Sequence, residues 1–193
     1  YAIRAAYELG LRDFGESRVQ EALVKQEALA DLTDITWHFI GPLQSNKVAK
    51  ALRAFDWIHS VSSLKLAQKI NQVLESRSSW PCPKLCLQVK IVPDDNKSGW
   101  EPNTIFEDLD ALTQLNHLTF AGLTTIPPFN QSDDQIYSVF VKAKELAAQI
   151  QRMKLANFHI NELSMGMSGD YPIAIQAGAT MVRIGRSLFG ERV

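Results

Sequence analysis

Apolar residues recur along the chain in two alternating modes. Short β-prone runs predict strands at Asp13–Glu16, Thr36–Ile40, Trp57–Val61, Leu85–Val89, Leu118–Leu123, Glu162–Met165 and Met181–Gly185. Between them apolar positions return every three or four residues, the period of an amphipathic helix. The first residues already have this period, with Ile3, Ala6 and Tyr7 on one face and Gly10 as a C-terminal cap. Later helical faces carry Val19, Ala22 and Leu23; Val48, Leu52 and Phe55; and Leu66, Ile70 and Val73, the last entered from Ser62-Ser63. Another carries Ile105, Leu109 and Leu112. The longest runs from about Asp133 to Met153 with Ile136, Phe140, Ala143, Ala147 and Ile150 in register. A final one has Pro172 near its start and Gly178 just past its end. Ser17-x-x-Gln20 and Thr104-x-x-Glu107 read as capping boxes.

Strict alternation of strand and helix means a parallel sheet with crossover helices. From Phe14 to Arg183 the chain advances 169 residues over six intervals, roughly 28 per unit, the size of one βα repeat. Seven strands behind a helix that lacks an N-cap predict an eighth strand upstream, centred about 14 residues before Tyr1. Eight units close a (β/α)8 TIM-type barrel, here without its first strand. The rival is an open doubly wound sheet, but no Gly-rich dinucleotide fingerprint follows the early strands. No linker or low-complexity segment divides the chain, so residues 1–193 read as one domain.

Composition narrows the function classes. Twenty Lys+Arg against 21 Asp+Glu give a formal net charge of −1, without the basic excess that nucleic-acid binding requires. No apolar run approaches the ~20 residues of a membrane span. The two cysteines, Cys82 and Cys86, make no disulfide framework and fit a reducing cytoplasm. Their spacing, with no second pair and no nearby His, argues against zinc, and no metal site is expected.

In a barrel, chemistry gathers where strands end, and the predicted strand ends are polar. The last two stand out: Ser164-Met165-Gly166-Met167-Ser168 and Gly185-Arg186-Ser187. Loops after the final two strands, with glycines that admit a close backbone approach, suit a phosphate group; tight strand-to-helix turns are the plainer alternative. Arg183 shares a face with Met181 and Gly185 inside an apolar run. A guanidinium in a barrel interior needs an acceptor, either a protein carboxylate or a ligand atom such as a ring nitrogen or phosphate. His38 and His59 read as core or supporting residues, with a position at the mouth as the alternative. His117 and His159 precede strands and receive no chemistry. No nucleophile elbow, Walker loop or zinc-protease helix is present.

The segments Phe14-Gly15-Glu16-Ser17-Arg18-Val19-Gln20-Glu21, Trp37-His38-Phe39-Ile40-Gly41-Pro42-Leu43-Gln44-Ser45-Asn46-Lys47, Leu163-Ser164-Met165-Gly166-Met167-Ser168 and Met181-Val182-Arg183-Ile184-Gly185-Arg186-Ser187-Leu188-Phe189-Gly190 resemble the signature segments of the pyridoxal phosphate homeostasis proteins. That family consists of single-domain relatives of the alanine racemase N-terminal barrel, and the resemblance covers nearly the whole chain. It implies a monomeric cytoplasmic barrel that binds pyridoxal 5′-phosphate and buffers or delivers it, with protein acceptors met transiently. Ser164 and the backbone around Gly166, Gly185 and Arg186 would hold the phosphate, and Arg183 would face the pyridine nitrogen. His38 and Ser17 complete the candidate set; Ser17 stands where many members have Asn, and either caps its helix or meets the ring.

The family's Schiff-base lysine ends the first strand, before Tyr1, so no catalytic residue is assigned within the chain. Lys90, Lys47 and Lys97 are conceivable substitutes, with a solvated or ion-paired role the expectation for each. An arginine opposite the ring nitrogen keeps that nitrogen unprotonated and weakens carbanion chemistry, which suits a carrier rather than an enzyme. The alternatives are a pyridoxal-phosphate-dependent amino-acid racemase and a barrel acting on a sugar phosphate. A racemase needs a second acid/base, and no tyrosine stands at a predicted strand end.

Overall fold

A computed structural model describes residues 1–77, 79–94 and 96–190. Its seven strands are β1 (Asp13–Glu16), β2 (Thr36–Phe39), β3 (Trp57–Val61), β4 (Lys84–Gln88), β5 (Phe120–Thr124), β6 (Phe158–Met167) and β7 (Met181–Arg183). All pair in parallel, and their order in the sheet is their order in the sequence. That order has no reversal point, which excludes the doubly wound alternative. The helices are α1 (Ala2–Glu8), α2 (Val19–Ala28), α3 (Val48–Ala54), α4 (Leu64–Glu75), α5 (Thr104–Thr113), α6 (Asp133–Arg152), α7 (Tyr171–Ala177) and α8 (Arg186–Phe189).

The sheet is rolled. His59 on β3 and Ser164 on β6 are three strand positions apart, about 14 Å across a flat sheet at ~4.8 Å per strand. Their side chains are hydrogen-bonded at 2.8 Å. Only a sheet curved about a common interior brings them together, so the architecture is a TIM-type barrel arc with helices outside.

The apolar core lies between strands and helices. Val48, Ala51, Ile70, Ile105, Leu109 and Phe140 press from the helices onto strand residues such as Ile58, Leu85 and Phe120, all buried. Each large side chain removed from water there contributes about 1.5–3 kcal/mol. Ser63 caps α4 by accepting from the Leu66 N–H at 3.2 Å. α7 has Pro172 in its first turn and ends on Gly178 at φ +98°. α1 is fastened to the loop before β2 by an Arg4–Asp31 pair at 2.7 Å and by Tyr7 and Arg12, both on Asp34 at 2.6 Å.

Local expectations fail where side-chain signals mislead. Helices α2 and α5 each begin one residue away from the N-cap their capping-box motifs imply. Arg18 is the N-cap of α2 and Asn103 that of α5, without side-chain caps. Thr104 Oγ1 instead accepts from the Glu101 N–H and donates to the Glu101 carbonyl, both at 3.1 Å. A capping box of Ser132 with Gln135 forms at the start of α6. Leu23 is exposed, leaving Val19 and Ala22 as the buried face of α2. β6 begins four residues earlier than expected, because exposed His159 and Asn161 alternate with buried Phe158 and Ile160 in its first half.

Gly41 follows β2 and lies against the backbone after β1. A Cβ there would sit 2.1 Å from the Ser17 carbonyl oxygen, whereas one on Gly169 would meet nothing within 4 Å. Gly41→Ala is expected to lower stability by about 2–3 kcal/mol and Gly169→Ala by less than ~0.5 kcal/mol, read from urea unfolding midpoints.

Candidate functional site

Residues drawn from five strands meet inside the barrel. Arg183, the last residue of β7, turns its guanidinium inward. Nη1 donates to the Ser164 carbonyl and to Ser164 Oγ, both at 2.6 Å, and Nη2 donates to the Thr125 carbonyl at 3.1 Å. These acceptors are all neutral, and no carboxylate pairs with Arg183 among the described residues. A guanidinium has five N–H groups. The Nε–H and one Nη2–H have no protein acceptor among the described residues. Burial lowers the Arg183 pKa to about 10, against the raising influence of Cys86 and Asp170. It remains a cation at neutral pH.

From Ser164 a chain of hydrogen bonds crosses the interior. Ser164 Oγ meets His59 Nδ1 at 2.8 Å, His59 Nε2 meets His38 Nδ1 at 2.9 Å, and His38 Nε2 meets Asp13 Oδ1 at 3.0 Å. His59 and Ser164 are buried, and Asp13, at the start of β1, has a side chain 72% exposed. Trp57 stacks on His38, with ring centroids 5.7 Å apart and planes within 8°. Burial lowers the pKa of both histidines. That of His59 falls to about 3, helped by the His38 ring and the Arg183 charge. Burial likewise pushes the Cys86 thiol up to about 12, leaving it protonated.

The loops after β6 and β7 are joined. Ser168 Oγ accepts from the Gly185 N–H at 3.3 Å and the Ser187 N–H at 3.4 Å, so a hydroxyl oxygen lies on the backbone donors that open α8. Asp170 braces the same turn by accepting from the Met167 N–H at 2.6 Å. Gly166 is buried at φ +93°, and a Cβ there would sit 2.6 Å from Ala174 Cβ. The turn therefore requires glycine twice over, by conformation and by space.

The sequence-predicted residues separate into groups. Arg183 and Ser164 are bonded to each other; Gly166 lies next to the last residue of β6, Gly185 follows β7, and Arg186 opens α8. Arg186 is exposed. The Ser164 hydroxyl turns away from those loops, towards His59 and Arg183. His38 is two links further inside. Ser17 lies by the loop after β2, its carbonyl against Gly41. Lys90 faces Glu101 at 3.8 Å. Lys97 pairs with Asp94 at 3.3 Å and donates to the carbonyls of Ile126 and Pro127. Both lysines are thus engaged, as expected. Ser168, Thr125 and His59 were absent from the candidate set. Ser168 was legible as the second hydroxyl of the Ser164–Ser168 run. Thr125 contributes a backbone carbonyl, which no side-chain motif records.

Two surface clefts lie elsewhere. One of about 510 Å³ runs along α4 from Ser45 past Lys65, Lys69 and Glu75, and one of about 250 Å³ lies between α5 and α6. Neither contains a candidate residue. Among the described residues no His, Cys, Asp and Glu cluster could hold a metal, and no helix is long and apolar enough to cross a membrane.

Comparison with known proteins bears on the fold and the family. The family model for the alanine racemase N-terminal domain matches residues 1–193. The chain is 49% identical over 191 residues to the pyridoxal phosphate homeostasis protein of Synechocystis sp., covering 99% of this chain and 86% of that protein. It is 42% identical to the protein of that name from Pseudomonas aeruginosa, with 99% and 79% covered. The structure of PipY from Synechococcus elongatus PCC7942 solved without PLP superposes with a TM-score of 0.92 at 46% identity, covering 98% of this chain and 86% of that one. The PipY structure with PLP bound gives 0.90 at the same identity and coverage. An alanine racemase from Clostridium difficile 630, 17% identical with a TM-score of 0.74, shares the fold.

The buried histidines make stability depend on pH. A group whose pKa is lower folded than unfolded makes the unfolded state bind more protons between the two values, so stability is lost as pH falls through that window. For His59 the window runs from its ordinary 6.5 down to about 3. Stability is expected to fall by up to ~1.4 kcal/mol per pH unit below about pH 6 from this residue. His59→Gln should flatten that slope in urea unfolding measured at pH 7, 6 and 5.

Proposed function

The chain belongs to the pyridoxal phosphate homeostasis proteins, on the alanine racemase N-terminal domain fold, and we propose that it binds pyridoxal 5′-phosphate between the loops after β6 and β7 and serves as a carrier of that cofactor. Arg183 carries the reading. It is a partly buried cation with only neutral protein partners and N–H groups left over. Burying a charge in this way is costly unless a further acceptor arrives, and a pyridine nitrogen is such an acceptor. PipY, 46% identical over 98% of this chain, has been solved with PLP bound.

The chain's residues fit the group at both ends. The backbone N–H groups of Gly185 and Ser187 converge on one point beside Ser168. Oriented amides of this kind hold an anion, and we assign them, with Gly166 and Arg186 at the rim, to the phosphate. Ser168 supplies the hydroxyl there. The Ser164 hydroxyl, already engaged with His59 and Arg183, orients the guanidinium. His38 supports it from behind, and Ser17 stands at the far rim of the mouth. Pyridoxal phosphate itself supplies an aldehyde electrophile and a ring that delocalises electrons.

The carrier role follows from how Arg183 treats that ring. A permanently protonated guanidinium donates to the pyridine nitrogen and leaves it unprotonated, so the ring withdraws electrons poorly. Relatives at 42–49% identity are named as homeostasis proteins rather than as enzymes, which supports a mainly non-enzymatic role. We place this role in the cytoplasm, in a monomer that meets acceptor proteins transiently. Both cysteines are free, in keeping with a reducing compartment.

Pyridoxal 5′-phosphate titrated into the chain and followed by induced circular dichroism should bind saturably, with inorganic phosphate competing. Pyridoxal, which lacks the phosphate, should bind at least ~100-fold more weakly, the loss of about 2.7 kcal/mol of charge-assisted hydrogen bonds. Arg183→Gln should weaken binding about tenfold. Equal binding of pyridoxal and its phosphate, or no effect of Arg183→Gln, would refute the assignment.

A further inference from the structure

We propose that Asp13, His38 and His59 are positioning residues: together with Ser164 they form a hydrogen-bond relay of fixed direction that holds the Arg183 guanidinium in its ring-facing pose. Only the last step of this inference rests on the pyridoxal-phosphate reading.

The direction follows link by link. Asp13 presents a carboxylate oxygen, which only accepts, so His38 Nε2 carries the proton of that bond at 3.0 Å. In a neutral imidazole one nitrogen donates and the other accepts. His38 Nδ1 is therefore an acceptor, and the 2.9 Å bond to it carries the proton of His59 Nε2. His59 Nδ1 is then an acceptor too, so the Ser164 hydroxyl donates to it across 2.8 Å. With its one proton committed, Ser164 Oγ offers Arg183 only lone pairs, and Nη1 donates to it at 2.6 Å. Reversing the relay would point the His59 Nδ1 proton at Ser164 Oγ, which would then accept from both His59 and Arg183 and leave its own proton without that partner.

The relay spans the barrel. It starts at an exposed carboxylate on the first residue of β1 and ends on the cation at the last residue of β7. Its interior is walled by Trp57, stacked on His38, and by the protonated Cys86 thiol beside Arg183. Neutral rings are what this interior favours, because burial outweighs the pull of Asp13 and Asp56 on His38, and the His38 ring and the Arg183 charge further disfavour a protonated His59. Asp13 thus sets, through two rings, whether the Ser164 proton is committed to His59 while its oxygen accepts from Arg183. The logic is that of a buried aspartate fixing a histidine tautomer in a catalytic triad, where an Asn replacement leaves the geometry but installs the wrong tautomer.

The test needs no ligand at its first stage. In the ¹⁵N-histidine-labelled chain at pH 7, long-range ¹H–¹⁵N correlation should show His38 and His59 neutral and both protonated on Nε2. Asp13→Asn, at an exposed position that tolerates change, should shift His59 to the Nδ1-protonated form, and Asp13→Glu should restore the original pattern. A charged His38, an Nδ1-protonated His59 in the unsubstituted chain, or an Asp13→Asn variant with unchanged tautomers would each overturn the relay. At the second stage, pyridoxal 5′-phosphate should leave the Asp13→Asn variant about five- to tenfold faster than the unsubstituted chain or Asp13→Glu. Equal release rates alongside shifted tautomers would show that the relay does not reach Arg183. Absence of binding to the unsubstituted chain would sink the cofactor reading and leave the tautomer result to judge the relay alone.

Discussion

A guanidinium inside a barrel must be satisfied, and the rest of the structure is arranged around that requirement. Arg183 is held by the carbonyls of Ser164 and Thr125 and by the Ser164 hydroxyl. Thr125 lies just past the end of β5 and Ser164 within β6, so the cation ties β7 to both of these strands. A carboxylate partner would have neutralised it and closed the interior. Neutral oxygens hold its position while leaving its charge unspent, and the polar chain running to Asp13 replaces apolar packing through the centre. The cost of desolvating two imidazoles is offset only because every ring nitrogen has a partner.

The fold was largely legible in the sequence because its signals are periodic and repeated. Repeated strand–helix alternation leaves few topologies for a parallel sheet, and the strand order matches that reading, although the intervals between strand starts vary from 21 to 38 residues. The failures are local and share a cause. A capping box is a statement about where a helix begins, and at Ser17 and Thr104 the chain enters one or more residues away from the place the motif implies. The first half of β6 was missed because one face of it is exposed and polar, unlike the all-apolar strands buried on both sides.

The site was legible in part, and the division is physical. Arg183 announced itself as a charge in an apolar run, and the glycines as breaks at strand ends. What sequence does not encode is which groups meet across a closed interior. His59 and Ser164 are 105 positions apart and touch only because the sheet curls. Thr125 acts through its backbone, which carries no residue signature at all. Ser164 and Ser168, four positions apart, divide the work: one faces the cation and the other faces the amides that open α8.

This division bears on why one barrel supports either vigorous or subdued cofactor chemistry. On the proposed reading the phosphate end is built from backbone amides, which any loop of the right shape provides, so grip is separable from reactivity. Reactivity is set at the ring end by the charge opposite the nitrogen. A carboxylate there would favour a protonated ring and strong electron withdrawal; an arginine does the reverse. The arginine here is backed by a hydroxyl whose proton is already used, with two neutral histidines behind it. In the proposed relay, no member of that chain could pass a proton towards a ring nitrogen facing Arg183 without first being supplied with one from Asp13's end. On the proposed carrier reading, a pocket that grips by its loops and withholds protons at its base would keep a reactive molecule intact until it is handed on.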